Sequence, residues 1–364
     1  MIRVSDIVSL LENWAPPALQ ESYDNAGLIV GGEQMELTGV LATLDCTEEV
    51  VREAIQKKCN LIVAHHPIIF SGLKRITGKT YVERAVITAI QNNIAIYAIH
   101  TNLDNVLTGV NHEIAQRIGL IKTRILQPKK GQLMKLVTYV PVAQLERVST
   151  ALFQSGAGNI GHYSECSFSH EGTGTFKPGE NTTPFVGDKG VRHSENETKL
   201  EVIIPAFMQH TIVAALIEAH PYEEVAYDII PLENMWSQTG SGMLGELEHA
   251  MPMTDFLQHL KKSFNLHTIR YTNGRDRVKK VAVCGGAGSF LIKTALQAGA
   301  DAFVTADVKY HEFFDCENLM IIADIGHYES EFFTKGLIRE RILEKFPTFA
   351  VLLSEIHTNP INYY

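Results

Sequence analysis

Three strand-like apolar runs in this chain end at residues that could ligate a metal ion. The runs cover 60–64, 94–99 and 319–325. The histidines and carboxylates that follow them are His65, His66, His100, Asp104, His327 and Glu331. Uninterrupted apolar runs of this length are typical of parallel strands covered on both faces, and such sheets place their ligand sites beyond the carboxyl ends of the strands. We therefore expect these side chains to meet at the edge of a sheet.

Five of these side chains form a plausible metal-ligand set. They are His65, His66, Asp104, His327 and Glu331. His327 and Glu331 are four residues apart at the start of a predicted helix, so both lie on one face. Three imidazoles and two carboxylates exceed what one tetrahedral zinc ion needs, and they suit two divalent ions bridged by a carboxylate. Zinc is our first expectation, and iron, manganese, cobalt or nickel would also accept nitrogen and oxygen ligands.

Two neighbouring ions are an arrangement for metal-assisted hydrolysis. They would lower the pKa of a shared water, which becomes the nucleophile, and polarise a carbonyl or phosphoryl group. Candidates for proton transfer or for orienting the ligands are His100, Asp307, His311 and Asp45. Each of the four fits a capping or structural role equally well.

Composition and charge restrict the class of protein. The chain has 364 residues, enough for about two domains, and a formal net charge of −9. That charge argues against general binding to nucleic acid or to anionic membranes. No segment resembles a signal peptide or a membrane span, so we expect a cytoplasmic protein. The five cysteines are widely spaced without a C-x-x-C pair, which predicts reduced thiols and no thiolate metal site.

The first third of the chain alternates strand and helix patterns. Strands are predicted at 39–44, 60–64 and 94–99, with a helix from Glu48 to Lys58 that Asp45 or Thr47 would cap. This alternation predicts right-handed β-α-β units in one mainly parallel sheet flanked by helices.

The middle of the chain has a different pattern. Residues 129–240 follow the order β-α-β-β-α-β, which predicts an inserted ferredoxin-like α+β domain. Within it, 171–197 indicates a long hairpin or flexible loop, and the glycine-rich stretch 239–245 is a plausible junction back to the core. Because the candidate ligands lie on both sides of the insertion, 1–128 and 241–364 are expected to form one discontinuous α/β core.

Two further motifs have more than one interpretation. The loop from Gly285 to Ser289 is either a phosphate cradle at a helix N-terminus or an ordinary tight turn. The segment from His220 to Glu224, which contains Pro221 and Tyr222, is most simply a helix stop followed by an acidic turn. A second metal or small-molecule site at that segment is the alternative.

The chain resembles the Nif-three-like family, whose members are often labelled GTP cyclohydrolase I type 2 homologues. Five pieces that span nearly the whole chain carry this resemblance. They are the segments at 22–28 (SYDNAGL), 64–67 (AHHP), 100–104 (HTNLD), 305–311 (TADVKYH) and 326–331 (GHYESE). The resemblance implies that His65, His66, Asp104, His327 and Glu331 hold a dinuclear metal centre.

The resemblance also carries expectations about assembly and function. It implies a ring-shaped homohexamer and likens the inserted domain to the trimer-forming PII- or CutA-like domain of longer bacterial members. The family label suggests a small nucleotide-like substrate, but no separate residue set for opening a purine ring stands out. The alternative function is a non-enzymatic metal-binding, metallochaperone or regulatory protein whose PII-like insert senses a small molecule.

Overall fold

A computed structural model describes all residues from 1 to 364. The chain divides into two compact units. The first consists of Met1–Gln127 and Gln238–Tyr364, and we call it the core unit. The second is Pro128–Ser237, and we call it the insert. No helix of the chain combines the length and the apolar character that crossing a bilayer requires.

The helices and strands follow in chain order. Before the insert they are α1 Val4–Trp14, β1 Gly27–Val30, β2 Val40–Thr43, α2 Glu48–Gln56, β3 Leu61–Ala64, α3 Tyr81–Gln91, β4 Ala95–Ala98, α4 Thr101–Asp104, α5 Val110–Ile118 and β5 Ile121–Pro128. In the insert they are β6 Leu133–Pro141, α6 Leu145–Gln154, β7 Ser167–Phe176, β8 His193–Pro205, α7 Gln209–Ala219 and β9 Tyr227–Pro231. After it come β10 Gly240–Pro252, α8 Met253–Phe264, β11 Arg270–Tyr271, β12 Arg277–Ala287, α9 Ile292–Gln297, β13 Ala302–Ala306, β14 Ile321–Asp324, α10 His327–Glu331, α11 Thr334–Lys345 and β15 Val351–Leu353.

The core unit contains two sheets, whereas the sequence predicted a single mainly parallel one. The first sheet has the order β1-β4-β3-β2-β15 and is parallel except for β1 at its edge. The second has the order β11-β14-β13-β12-β10-β5; only β12, β13 and β14 run parallel, while β10 and β11 are antiparallel to their neighbours β12 and β14. Strand β15 comes from the end of the chain and pairs with β2, so the segments before and after the insert share one sheet.

Local sequence explains why the strands and helices near the carboxyl end of β3 form. Strands β2, β3 and β4 are buried at every position, as apolar strands between helices must be. The side chain of Thr47 accepts a hydrogen bond from the Val50 amide and caps α2. Asp45, the other capping candidate, accepts a hydrogen bond from His66 instead.

A carboxylate at the start of α3 predicts a pH-dependent contribution to stability. Glu83 accepts hydrogen bonds from the amides of Thr77 and Lys79 and from the Thr77 hydroxyl at 2.7–3.1 Å. These bonds lower the pKa of Glu83 from 4.5 to about 2. Since the folded-state pKa lies below the unfolded-state value, the stabilisation is complete above pH 4.5 and disappears as the pH falls towards 2.

We therefore expect Glu83→Gln to melt at a lower temperature than the wild type at pH 7, with the difference narrowing between pH 4.5 and pH 2. Thermal unfolding followed by circular dichroism at several pH values measures both quantities. Glu49→Gln, an exposed carboxylate in the first turn of α2, is the matched control. A difference that stays constant with pH would contradict the assignment.

The insert has the ferredoxin-like arrangement that the element order predicted. Its sheet has the order β7-β8-β6-β9 with every neighbouring pair antiparallel, and α6 and α7 contribute the apolar side that packs on it. Of the two alternatives for 171–197, the long hairpin is the one that forms, because β7 pairs antiparallel with β8. Strand β7 continues to Phe176 and β8 begins at His193, so the loop covers only 177–192.

Candidate metal centre

The core unit brings together the five residues that the sequence singled out as metal ligands. His65 and His66 follow β3, and Asp104 ends α4, the short helix that follows β4. His327 and Glu331 lie four residues apart on α10, directly after β14. The cluster therefore forms where strands from both sheets of the core unit end, as expected for side chains at carboxyl ends of parallel strands.

Glu331 is the centre of this cluster, and its two carboxylate oxygens face different groups. Glu331 Oε2 lies 3.1 Å from the Nε2 atoms of both His66 and His327. Glu331 Oε1 lies 3.9 Å from His65 Nε2, which in turn lies 3.7 Å from Asp104 Oδ1. Each oxygen thus completes a separate group of three potential ligands.

Hydrogen bonds on the far side of each imidazole aim its Nε2 atom into the cluster. The Nδ1 atom of His65 bonds to the carbonyl of Ile99 at 2.8 Å. The Nδ1 atom of His66 bonds to Asp45 at 2.8 Å, and that of His327 bonds to Asp307 at 2.7 Å. A carboxylate or carbonyl behind the ring is the usual support of a metal-binding histidine.

Two buried polar atoms in the cluster lack any hydrogen-bond partner. They are His65 Nε2 and Asp104 Oδ1, the same pair that lies 3.7 Å apart. Leaving such atoms unpaired in a protein interior costs free energy, so native sites usually supply a partner. A divalent cation between a neutral imidazole and a carboxylate would satisfy both atoms.

The pKa shifts in the cluster arise from burial and from the charges of neighbouring side chains. Burial lowers the pKa of His65 to about 4, so its imidazole is neutral, as a metal ligand must be. Burial, followed by the charge of Glu331, raises the pKa of Asp104 well above its ordinary value. Burial would also raise the pKa of Glu331, but its interactions with His327, His65 and His66 together outweigh that effect and lower it. Glu331 is therefore ionised and requires positive charge around it.

The other two imidazoles currently supply that positive charge. Burial lowers the pKa of His66, but its bonds to Asp45 and Glu331 prevail and raise it to about 9. The same balance, with Asp307 as the stronger partner, raises the pKa of His327 to about 11. Bound cations would replace these two protons as the charge that faces Glu331.

The proton-transfer candidates occupy different positions. The rings of His100 and His65 lie 5.3 Å apart, and His100 belongs to a third group of close ligand atoms together with His65 and His66. Asp307 supports His327, as described. His311 is exposed on a short 3₁₀ helix at Tyr310–Cys316, its ring contact is with Tyr310, and it does not line the cavity beside the cluster. The structure therefore does not bring His311 to the site with the other candidates.

Sequence reasoning missed two residues that support the site. Asp24 accepts a hydrogen bond from His100 Nδ1 at 2.7 Å and another from the Thr101 hydroxyl at 2.5 Å. Burial would raise the pKa of Asp24, but these bonds lower it to about 2. Thr358, in the tail after β15, donates to Asp45 and so supports His66 indirectly. Asp24 lies in the segment 22–28 that carries the family resemblance, whereas no local pattern marks Thr358.

A cavity of about 660 Å³ adjoins the cluster. Its lining includes His66, His100, Asp104, His327 and Glu331 together with aromatic side chains. The aromatic residues are Tyr23, Phe70, Tyr81 and Phe290, all more than half exposed. Gly286 also lines the cavity and lies against Glu331, whereas Cys284 is a buried thiol whose pKa burial raises. The cavity offers room for a small molecule next to the metal-ligand cluster.

The fold and the cluster define an α/β protein with a buried histidine and carboxylate site suited to divalent cations. The chain belongs to the Duf34/NIF3 (NGG1p interacting factor 3) family, whose description matches residues 2–360.

Relatives and solved structures support this membership over the full length. The chain is 40% identical over 365 residues to a GTP cyclohydrolase 1 type 2 homolog of Halalkalibacterium halodurans, with 98% of each chain covered. It is 38% identical over 364 residues to the protein of the same name in Bacillus subtilis, covering 98% of this chain and 97% of the relative. The crystal structure of a Bacillus cereus protein related to NIF3 is 39% identical and superposes with a TM-score of 0.87, covering 100% of this chain and 99% of that one.

Proposed function

We propose that this protein is a dinuclear metal-dependent hydrolase that acts on a small, nucleotide-like substrate. The observation that carries the proposal is that the two carboxylate oxygens of Glu331 face different groups. Oε1 faces His65, and Oε2 faces His66 and His327. A carboxylate that serves two ligand groups is the usual bridge between two ions. His65, Asp104 and Glu331 would hold one ion, and His66, His327 and Glu331 the other. Zinc is the first candidate, with iron, manganese, cobalt and nickel as alternatives.

Two divalent ions, when bound, would supply Lewis acidity that polarises the carbonyl or phosphoryl group under attack and eases loss of a proton from water. The chain itself supplies proton transfer. Asp24 holds the Nδ1 proton of His100, which leaves His100 Nε2 free to accept or donate a proton. Because His100 lines the cavity, it can serve substrate bound there.

The cavity walls favour a planar heterocyclic substrate. Phe70 and Phe290 are 53% and 63% exposed and both line the cavity. Exposed aromatic faces can stack on the flat face of any nucleobase. GTP is a natural first nucleotide to test, because the relatives are named GTP cyclohydrolase 1 type 2 homologs.

A substrate screen tests the proposal. The protein loaded with zinc or manganese is assayed against phosphoesters, amides and purine nucleotides, and the turnover that appears should be abolished by His65→Ala. His311→Ala, which removes an exposed imidazole outside the cavity lining, should retain activity. Absence of any turnover that depends on His65 would overturn the hydrolase proposal.

The role of Asp307 in supporting His327 gives a measurable effect on metal affinity. Removing its hydrogen bond to His327 Nδ1 frees the ring. Asp307→Ala should therefore weaken binding of the ion that His66, His327 and Glu331 would hold by about 10–100-fold. Asp307→Asn keeps an acceptor oxygen and tolerates the left-handed φ of 53° at this position, so it should lose less. Competition titration with a chelator measures both. Equal affinities for the three proteins would contradict the supporting role.

A second candidate function is a non-enzymatic metal-binding, metallochaperone or regulatory protein in which the insert senses a small molecule. The ferredoxin-like topology of the insert, which is related to that of PII- and CutA-like domains, favours this alternative. Ligands of the insert should then change the affinity of the core unit for metal. Unchanged affinity across a panel of nucleotides and metabolites would argue against it.

We further propose, from family resemblance, that the chain assembles as a ring-shaped homohexamer. Size-exclusion chromatography with light scattering should give a mass about six times the chain mass of 40.5 kDa. A monomer or dimer at micromolar concentration would contradict this assembly.

A further inference from the structure

The insert contains a cavity of its own, of about 520 Å³. We call it the insert cavity. Helices α6 and α7 provide the apolar core on one side of the sheet. The insert cavity is lined by residues of β7 and β8, such as Phe176, Glu197 and Lys199, that do not belong to that core. The loop 177–192 and the turn after α7 complete its walls through Phe185 and Tyr222. Its volume is within the range of small-molecule sites.

A nearly buried carboxylate lines the insert cavity. Glu197 is only 8% exposed, and its Oε1 accepts a hydrogen bond from the Tyr222 hydroxyl at 2.9 Å. No hydrogen bond of the chain reaches Oε2. A Cβ atom on Gly174 would lie 2.0 Å from this Oε2, so a larger residue at 174 would displace the carboxylate from its present position. A carboxylate oxygen that no donor of the chain occupies can accept a hydrogen bond from a cationic ligand in the cavity.

Aromatic rings surround this carboxylate. The rings of Phe176 and Tyr222 lie 5.8 Å apart, and those of Phe185 and Tyr222 lie 6.2 Å apart. Phe185 is 53% exposed although it lines the cavity, so part of the aromatic surface is available to a ligand. Aromatic faces around a carboxylate attract organic ammonium groups through the ring quadrupole and the negative charge together.

The motif His220-Pro221-Tyr222 keeps the tyrosine in place. His220 Nε2 donates to the carbonyl of Tyr139 at 3.0 Å, and its Nδ1 accepts from the Tyr222 amide at 3.1 Å. Burial lowers the pKa of His220, in agreement with a neutral ring that uses one nitrogen as donor and the other as acceptor. The motif after α7 thus holds the Tyr222 hydroxyl that contacts Glu197. It therefore positions a side chain of the insert cavity as well as ending the helix.

The charges of the insert cavity oppose an anionic ligand. Glu197, Glu223 and Glu224 line it, against one lysine and one histidine. The lysine, Lys199, is already paired with Glu201 at 2.6 Å. A phosphate or carboxylate ligand would therefore face uncompensated negative charge, whereas a cation would be attracted.

We propose that the insert cavity binds a small organic cation, with its ammonium group at Glu197 Oε2 and its carbon skeleton against Phe176, Phe185 and Tyr222. This site is separate in kind from the candidate metal centre, because it offers aromatic walls and a carboxylate without clustered imidazoles.

Isothermal titration calorimetry with choline, putrescine, spermidine and tryptamine tests the proposal on the full-length protein. At least one of these probes should bind saturably with one site per chain. Glu197→Gln should weaken binding by about 10–100-fold, as expected for loss of a charge-assisted contact. Phe185→Ala, which alters a half-exposed side chain, should weaken it by about threefold or more.

Control variants and alternative outcomes make the test decisive. Glu218→Gln removes an exposed charge on α7 and should bind the probes like the wild type. Glu331→Gln should also bind them like the wild type, which separates this site from the metal centre. Absence of saturable binding would overturn the proposal, and so would tighter binding of sulfate or ATP than of the amines. Wild-type affinity for the amines in both Glu197→Gln and Phe185→Ala would also overturn it.

Discussion

Replacement of Glu331 by glutamine is expected to abolish binding of both divalent ions while the chain stays folded. The two oxygens of Glu331 serve separate ligand groups, so a single substitution disturbs both positions. A glutamine keeps the size of the side chain but loses the negative charge and one of the two acceptor oxygens. We expect the affinity for each ion to fall by more than about 100-fold, above the 10–100-fold range typical of supporting residues.

Elemental analysis and metal titration of purified Glu331→Gln measure this effect, and circular dichroism verifies the fold. Glu340→Gln, an exposed carboxylate on α11, should bind both ions like the wild type. If Glu331→Gln retained two ions per chain at unchanged affinity, Glu331 would not bridge them, and the proposed dinuclear centre would be wrong.

Proximity of the metal-ligand cluster could be predicted from the sequence because it depends on a general property of parallel sheets. His65 and His66 follow β3, and His327 follows β14, and in both cases the strand is an apolar run whose carboxyl end is easy to recognise. The i, i+4 spacing of His327 and Glu331 also predicted their shared face, and Glu331 Oε2 does lie 3.1 Å from His327 Nε2.

The division into two sheets could not be predicted in the same way. An apolar run indicates that a strand is buried, but it does not say which strand lies beside it. Strands β2, β3 and β4 belong to one sheet and β12, β13 and β14 to another, yet the two sets of runs are alike in composition and length. Pairing depends on contacts between distant segments, such as β15 with β2, that periodicity does not contain.

The glycine-rich segment after the insert shows a second limit. Residues 239–245 were interpreted as the junction back to the core, and the core unit does resume at Gln238, but residues 240–245 also begin β10, a strand of 13 residues. The glycines are there because neighbours approach closely. A Cβ atom on Gly242 would lie 2.9 Å from the carbonyl oxygen of Val283, and one on Gly245 would lie 2.9 Å from Leu120 Cβ. Glycine-rich segments most often mark turns, but glycines are also used where a strand packs closely against its neighbours. The sequence alone does not distinguish these two causes.

The supporting contacts around the histidines were the hardest to predict. Thr358 reaches Asp45 across 313 positions of sequence, and Asp24 reaches His100 across 76. Neither contact follows from a local pattern, because each depends on the final position of an irregular segment. Asp24 nevertheless holds the Nδ1 proton of His100, and Thr358 positions the Asp45 carboxylate that bonds to His66 Nδ1.

Gly286→Ala is expected to weaken metal binding by steric displacement of Glu331. Gly286 has a φ of +57°, and an added Cβ atom would lie 2.6 Å from Glu331 Oε1 and 3.2 Å from His327 Cε1. The carboxylate cannot move freely, because its other oxygen is held by His66 and His327. We expect the affinity of the ion nearest Oε1 to fall by about tenfold or more, and stability to fall by about 1–2 kcal/mol from left-handed backbone strain.

Gly119→Ala separates these two effects. Gly119 has a φ of +79° at the end of α5, and an added Cβ atom would meet no atom within 4 Å. The variant should therefore show similar backbone strain in a thermal melt but retain wild-type affinity for both ions in a chelator competition. Equal metal affinity in Gly286→Ala and Gly119→Ala would mean that the loop beside Glu331 yields without moving the carboxylate. The close approach of Gly286 would then have no role in holding the ligand cluster together.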